Sequence, residues 1–316
     1  MHRRKMSIIF RVFVTILSVF CASIPATLAN EYQIAVLAGR NESPYKEVID
    51  GFQKTVMEQK RHVKYSVFVI EGEKEQTSQI LDTIKKINPD VIFTVGTTPV
   101  VEVIRMFTDI PIIATFILDD SAIKHARNVT GVILSFPAEI QFSWLKKFLP
   151  DVRKIGVMYN PAENQENIRS ATRVAKTMGL EFKSVEIHSP KDIPAALKIL
   201  ANDIDILWGI NDPLVYNSLT AKQILLFSFR NQIPFCGLSS AWVKAGALYS
   251  LEYDFYDIGV QCGEKAVKIQ QGVEMISIPV SFPRNLRYVL NLRTARHMKV
   301  VFQEKYIHDA YQIYDE

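Results

Sequence analysis

Cysteine is scarce in this chain, with three in 316 residues, at positions 21, 236 and 262. That is too few for a disulfide framework, and none of the three belongs to a cluster at metal-ligand spacing. Cys236 and Cys262 are either two small buried residues or the halves of one bridge, because sequence separation does not say whether two side chains meet. Histidine is dispersed as well: residues 62, 125, 188, 297 and 308 belong to no nucleophile motif. No glycine-rich segment has the spacing of a dinucleotide or P-loop fingerprint. Long apolar runs are also missing. After Arg11 about a dozen apolar residues precede Pro25, against the roughly 20 that a spanning helix needs.

What stands at the N-terminus instead is Arg3-Arg4-Lys5, an apolar stretch from Met6 to Ile24, and the small residues of Pro25-Ala26-Thr27-Leu28-Ala29. This is the order of a secretory signal, with cleavage expected after Ala29. Phe20 directly before Cys21 is unlike a lipoprotein signal, which argues against a lipid anchor. The whole chain carries 37 Lys and Arg against 33 Asp and Glu. Removing residues 1–29 takes away Arg3, Arg4, Lys5 and Arg11 and no acid, so the remaining chain is neutral. An electrostatic footprint for nucleic acid is therefore absent. The remaining length suits two lobes and is too great for one small core.

The organising stretch is Pro89-Asp90-Val91-Ile92-Phe93-Thr94-Val95-Gly96-Thr97-Thr98-Pro99. Its apolar, β-branched run reads as a strand buried on both faces, hence a central parallel strand. Gly96 allows a turn, Thr98 is placed as an N-cap and Pro99 at the first helical position. Two more strand-helix units precede it, starting at Glu31 and Lys64, and Ile110 to Phe116 adds a fourth strand. A second series of the same order runs from Lys154 to Gly237, with the helix from Gln165 to Met178 stopped by Gly179 and a helix expected over Leu214 to Asn231. The expected architecture is α/β, two doubly wound parallel-sheet lobes joined by three crossings. Residues 30–130 plus 252–276 are assigned to the first lobe and 131–251 plus 277–316 to the second. The tail from Thr294 is read as helical to its end.

In open α/β sheets ligands bind outside the carboxyl ends of the strands. On the first lobe those ends carry Asn41, Ser43, Thr97, Thr98, Asp119 and Asp120. Thr97 and Thr98 open a helix whose free amides and dipole favour a ligand carboxylate, beyond any capping they do. Of the Asp119 and Asp120 pair, one is read as a cap and the other as a cleft residue. On the second lobe, Asp212 beside Asn211 is placed to hold a ligand ammonium. Asn160 and Glu163 form a counterpart loop that turn chemistry explains almost equally well. Ser239 and Trp242 follow the last strand of that series, Trp242 as a stacking wall or as ordinary packing. Tyr253 lies at a hinge and offers a ring or a hydroxyl.

The same landmarks carry a family resemblance. The Pro89–Pro99 stretch, Ile110-Pro111-Ile112-Ile113, Asn128-Val129-Thr130-Gly131-Val132, Lys154-Ile155-Gly156-Val157-Met158-Tyr159-Asn160-Pro161, Asn211-Asp212, Gly246-Ala247-Leu248 and Asn291-Leu292-Arg293-Thr294-Ala295 stand in order along the chain. In this arrangement it resembles the periplasmic substrate-binding proteins of ABC transporters that include the tryptophan- and tyrosine-binding components. The resemblance implies the type I periplasmic binding protein fold. It also implies an exported, periplasmic monomer without cofactor or metal, an inner-membrane ABC permease as partner, and no enzymatic activity. The ligand implied is a small polar solute, best matched by an amino acid, aromatic ones included. A periplasmic sensor that reports to a membrane kinase or chemoreceptor is the alternative. The chain departs from the family pattern at Asp119-Asp120, where Asp-Pro is usual, at Ala122 to Arg127, where glycines are usual, and in the charged loop Gly39 to Pro44.

Overall fold

The computed structural model describes residues 31–59, 62–70, 74–118 and 121–315. The expected secretory signal, and Asp119 and Asp120, lie outside the described residues.

The first sheet is built from β1 (Tyr32–Ala38), β2 (Val63–Val69), β3 (Val91–Val95), β4 (Ile112–Thr115) and β5 (Val129–Val132), all parallel in the order β2-β1-β3-β4-β5. Every residue of β3 is buried, as its apolar run requires of a strand covered on both faces. Side-chain alternation splits the lobe's core. Val36 and Phe93 face one helical layer while Leu37 and Ile92 face the other. The connecting helices are α1 (Tyr45–Gln59), α2 (Lys74–Ile87) and α3 (Thr97–Met106).

The second sheet has seven strands: β6 (Lys154–Tyr159), β7 (Glu181–Glu186), β8 (Ile206–Trp208), β9 (Phe235–Gly237), β10 (Tyr249–Tyr253), β11 (Leu286–Asn291) and β12 (Gln312–Tyr314), in the order β12-β11-β10-β9-β8-β6-β7. Around it lie α4 (Ala138–Phe148), α5 (Pro161–Thr177), α6 (Ile193–Leu200), α7 (Ala221–Asn231), α8 (Ser240–Ala245), α10 (Leu292–His297) and α11 (Glu304–His308). The intervening helix α9 (Phe255–Gln270) belongs to the other core, where its Ile258, Cys262 and Ala266 pack with Phe93 and Val132.

The three crossings follow from this layout. Ile133 to Pro137 leads from β5 into α4, β10 runs directly into α9, and the chain returns past Ser281 to β11. The first and third crossings are tied together by two backbone bonds, Ser281 N to Gly131 O at 3.0 Å and Ile133 N to Ser281 O at 2.9 Å. Because the third crossing re-enters from the far end, β11 runs antiparallel to β10, the one antiparallel pair among the described strands.

Helices α1 and α9 approach unusually closely. A Cβ on Gly51 would lie 2.2 Å from the Tyr256 carbonyl oxygen, and one on Gly259 would lie 2.0 Å from that of Val48. Only glycine permits that contact.

Local expectations are corrected at four places. Helix α5 begins at Pro161 with Asn160 as its N-cap, four residues before Gln165, so Glu163 stands in its first turn and not in a loop. Helix α3 begins at Thr97, with Gly96 (φ 117°) as its N-cap and no side-chain cap bond, so neither Thr98 nor Pro99 has its expected capping position. Helix α7 starts at Ala221, seven residues later than Leu214, because Asn217 Oδ1 accepts the Leu219 and Thr220 amides and holds a turn. The tail from Thr294 is not helical to its end. It forms most of α10, then α11, and then the edge strand β12, which pairs in parallel with β11. No helix among the described residues is long and apolar enough to cross a membrane.

Candidate functional site

A cavity of about 970 Å³ opens beside the crossings. Its lining comes from the first crossing (Ile133 to Phe136), from Gln141 on α4, from Glu163, Asn164 and Asn167 on α5, and from the ends of β8 and β9. Leu251, Tyr253, Phe282 and, from the first lobe, Leu118 complete it.

One wall is aromatic. Trp208 is the last residue of β8 and nearly fully buried. Its Nε1 donates to Gln141 Oε1 at 2.8 Å, and Gln141 Nε2 donates to the Phe136 carbonyl at 2.6 Å. A buried indole N–H needs such an acceptor, and here the acceptor is itself anchored to the first crossing. Phe142 meets the indole edge-on at 5.0 Å. Tyr253 stacks on Phe136 at 4.5 Å and donates its hydroxyl to Leu134 O at 3.0 Å, so the second crossing is fastened to the first. Burial, with Glu252 adding to it, raises the Tyr253 hydroxyl above its ordinary pKa, which keeps it a protonated donor.

The polar lining residues Glu163, Asn164 and Asn211 sit on two turns that are joined by Asp212, which is 1% exposed and outside the lining. Its Oδ2 accepts from Asn160 N at 2.6 Å and Asn164 Nδ2 at 3.0 Å; its Oδ1 accepts from Leu214 N and Val215 N, each at 3.1 Å. A carboxylate has about four lone-pair sites, and all are used. Asp212 therefore clamps the turn after β6 to the turn after β8, and it has no lone pair left for a ligand ammonium.

Of the residues singled out in the sequence, Glu163, Asn211 and Tyr253 line the cavity. Asn160 lies beside it and caps α5 by accepting from Ala162 N at 3.1 Å. Ser239 takes the N-cap position of α8 without a side-chain cap bond. Trp242 is packing and not wall, since it meets Phe235 edge-on at 5.5 Å and Tyr216 at 6.3 Å within the second lobe's core. Thr97 and Thr98 are exposed at the start of α3, on the first lobe and outside the lining. Asn41 is exposed, and the Ser43 hydroxyl donates to the Glu47 carboxylate on α1. The sequence reading passed over Trp208, Gln141, Asn167, Phe136 and Phe282. Gln141 carried a usable signal, as a polar residue at helical spacing from Trp144, Leu145 and Phe148 on a face otherwise built for packing.

Cys236 also borders the cavity, yet it is 3% exposed, and burial pushes its thiol up to about 12. Cys262 is fully buried on α9 and is raised to about 12 for the same reason. Both thiols are free, so the bridge left open by the sequence is not formed. Because the thiolate is the reactive form, iodoacetamide at pH 8 is expected to label neither residue in the folded protein and both after urea denaturation. Peptide mapping distinguishes them from Cys21, and rapid native labelling of either would contradict their burial.

Comparison with known proteins gives a consistent outcome. The chain is 26% identical over 216 residues to a tyrosine-binding protein of Clostridioides difficile (strain R20291), a match that covers 66% of this chain and 62% of that protein. It is 23% identical over 281 residues to an uncharacterised protein of Rickettsia prowazekii (strain Madrid E), covering 87% of this chain and 88% of the other. Among solved structures, a ligand-free, open substrate-binding protein with adhesive properties from Clostridium difficile aligns with a TM-score of 0.77 at 20% identity, over 90% of this chain and all of that one. An ABC domain in complex with L-Trp from Streptococcus pneumonia aligns with a TM-score of 0.60 at 21% identity, over 90% of this chain and 99% of the other. These likenesses establish the type I periplasmic binding protein fold. The family described as ABC transporter substrate binding protein matches residues 35–314, nearly all of the described chain, and the protein belongs to that family.

Proposed function

We propose that this protein is the extracytoplasmic receptor of an ABC importer, that it binds an aromatic amino acid in the cavity beside the crossings, and that it closes its two lobes on the ligand. The observation that carries this reading is the pairing of ring-bearing side chains, Trp208, Phe136, Tyr253 and Phe282, with a rim of amides from Gln141, Asn164, Asn167 and Asn211. An apolar wall of that size accommodates a ring, and convergent amides orient a polar head group. The tyrosine-binding relative and the L-Trp complex support the same ligand class. Thr97 and Thr98 present the free amides of α3 on the other lobe, where a helix N-terminus favours a carboxylate. A ligand that touches both lobes stabilises the closed form by its extra contacts there and shifts the population toward it. Residues 1–29 would direct export, and a membrane permease would receive the solute.

The test is a thermal-shift screen over amino acids, sugars, nucleosides and peptides, followed by scattering with and without the best binder. At 100 times Kd a ligand contributes about 2.7 kcal/mol, or roughly 5–10 °C in a protein with lobes of this size. L-Trp, L-Tyr or L-Phe is expected to produce such a shift and to reduce the radius of gyration. A response to sugars alone would remove the amino-acid assignment.

A further inference from the structure

With Asp212 saturated, the ligand's ammonium needs another acceptor, and the structure points to Glu163. This residue occupies the third position of α5, where a glutamate ordinarily turns back to accept the N-cap amide and closes a capping box. Here that amide, Asn160 N, is already given to Asp212 Oδ2 at 2.6 Å. The carboxylate of Glu163, an exposed residue, has no hydrogen bond or ion pair to any described residue, although Glu163 lines the cavity. The nearest cations along the same helix, Arg169 and Arg173, face Glu166 at 3.5 and 3.7 Å. Among the described lining residues Glu163 is the one acidic side chain, and none is Lys or Arg. A glutamate in the first turn does help the helix dipole, but that benefit requires only the position in the helix and not the cavity-facing, unpartnered carboxylate.

We propose that Glu163 receives the ligand's ammonium and selects α-amino compounds over their deaminated analogues; this rests on the cavity being the amino-acid site. Asn164 and Asn167 on the same helix also line the cavity, where Asn164 Nδ2 is held by Asp212 at 3.0 Å and Asn167 Nδ2 donates to Asn164 Oδ1 at 3.5 Å. The Glu163→Gln change keeps the volume and the helix position while it removes the charge.

Isothermal titration of the purified protein and of its Glu163→Gln variant tests this. The probes are L-Trp and L-Tyr, together with 3-indolepropionate and 3-(4-hydroxyphenyl)propionate, which lack the amine. Loss of one charge-assisted hydrogen bond is expected to weaken binding of the amino acids about 10- to 100-fold. Affinity for the deaminated acids, already lower in the unmodified protein, is expected to be unchanged in the variant, and the variant's melting temperature should fall by no more than about 3 °C, the share of the helix dipole. If the variant binds the amino acids within twofold of the unmodified protein, Glu163 is not the receptor while the aromatic amino-acid reading survives. If neither L-Trp nor L-Tyr binds the unmodified protein, the cavity assignment fails and this proposal falls with it.

Discussion

Asp212→Ala is expected to destabilise the protein by about 3 kcal/mol, because four donors lose the carboxylate in a site that is closed to bulk water; Val215 N and Asn164 Nδ2 keep the Asp212 and Asn211 carbonyls, while Asn160 N and Leu214 N are left without an acceptor. The loss should be far smaller than four separate hydrogen bonds, since water can enter the space left by the carboxylate and satisfy some of the amides. Asp212→Asn offers a graded comparison. One oxygen still accepts two bonds, but an NH₂ group replaces the other oxygen and must face donors, so a loss of about half that size is expected. Urea unfolding gives the magnitude, and hydrogen exchange gives the location. The Leu214 and Asn160 amides, which donate to the carboxylate in the folded protein, should lose protection in the alanine variant ahead of the buried strand β6. An Asp212→Ala protein with an unchanged urea midpoint would show that the carboxylate does not hold these turns. Because the turns carry Asn211 on one side and Glu163 and Asn164 on the other, the variant should also bind ligand more weakly.

The second large effect is expected at the crossing of α1 and α9. Alanine is favoured over glycine inside a helix by about 1 kcal/mol, so local propensity alone predicts that Gly259→Ala stabilises the protein. Packing predicts the reverse. The added methyl would sit 2.0 Å from the Val48 carbonyl oxygen and 2.9 Å from the Phe52 amide nitrogen, and both are backbone atoms that cannot rotate away. Separating the helices costs about 1–3 kcal/mol or more and opens space elsewhere in the interface, so packing should win, with a net loss of about 2 kcal/mol. Gly51→Ala, whose methyl would lie 2.2 Å from Tyr256 O, should behave alike. Since one displacement of the helices relieves both clashes, the double variant is expected to lose less than the sum of the two. Urea midpoints for the three variants check this. A Gly259→Ala protein at least as stable as the unmodified one would mean that the two helices do not approach so closely. The displacement should reach the site as well, because α9 begins two residues after Tyr253.

How much of this was legible in advance depends on the range of the forces involved. The β3 run and the stop of α5 at Gly179, which adopts φ +69°, are local matters of pattern and backbone freedom, and the structure agrees with both. Asp212 looks like an exposed acid in its own neighbourhood. Its partner Asn160 lies 52 residues away and is brought beside it only because β6 and β8 are adjacent strands. Trp208 reads as the end of a short strand, and nothing nearby in the chain shows that its indole would reach Gln141, 67 residues earlier. Trp242 shows the converse, an aromatic residue in the short helix after β9 that the surrounding core absorbs.

From the order of its residues alone, this chain was committed to alternating strands and helices in two series, to buried central strands and to its family. Those properties follow from hydrophobic periodicity and turn chemistry, which act over a few residues. The packed structure alone decided which carboxylate is saturated and which is unpartnered, which rings face the cavity, and that two glycines must meet. Each of these depends on the distance between atoms far apart in the chain, and that distance exists only once the sheets have assembled.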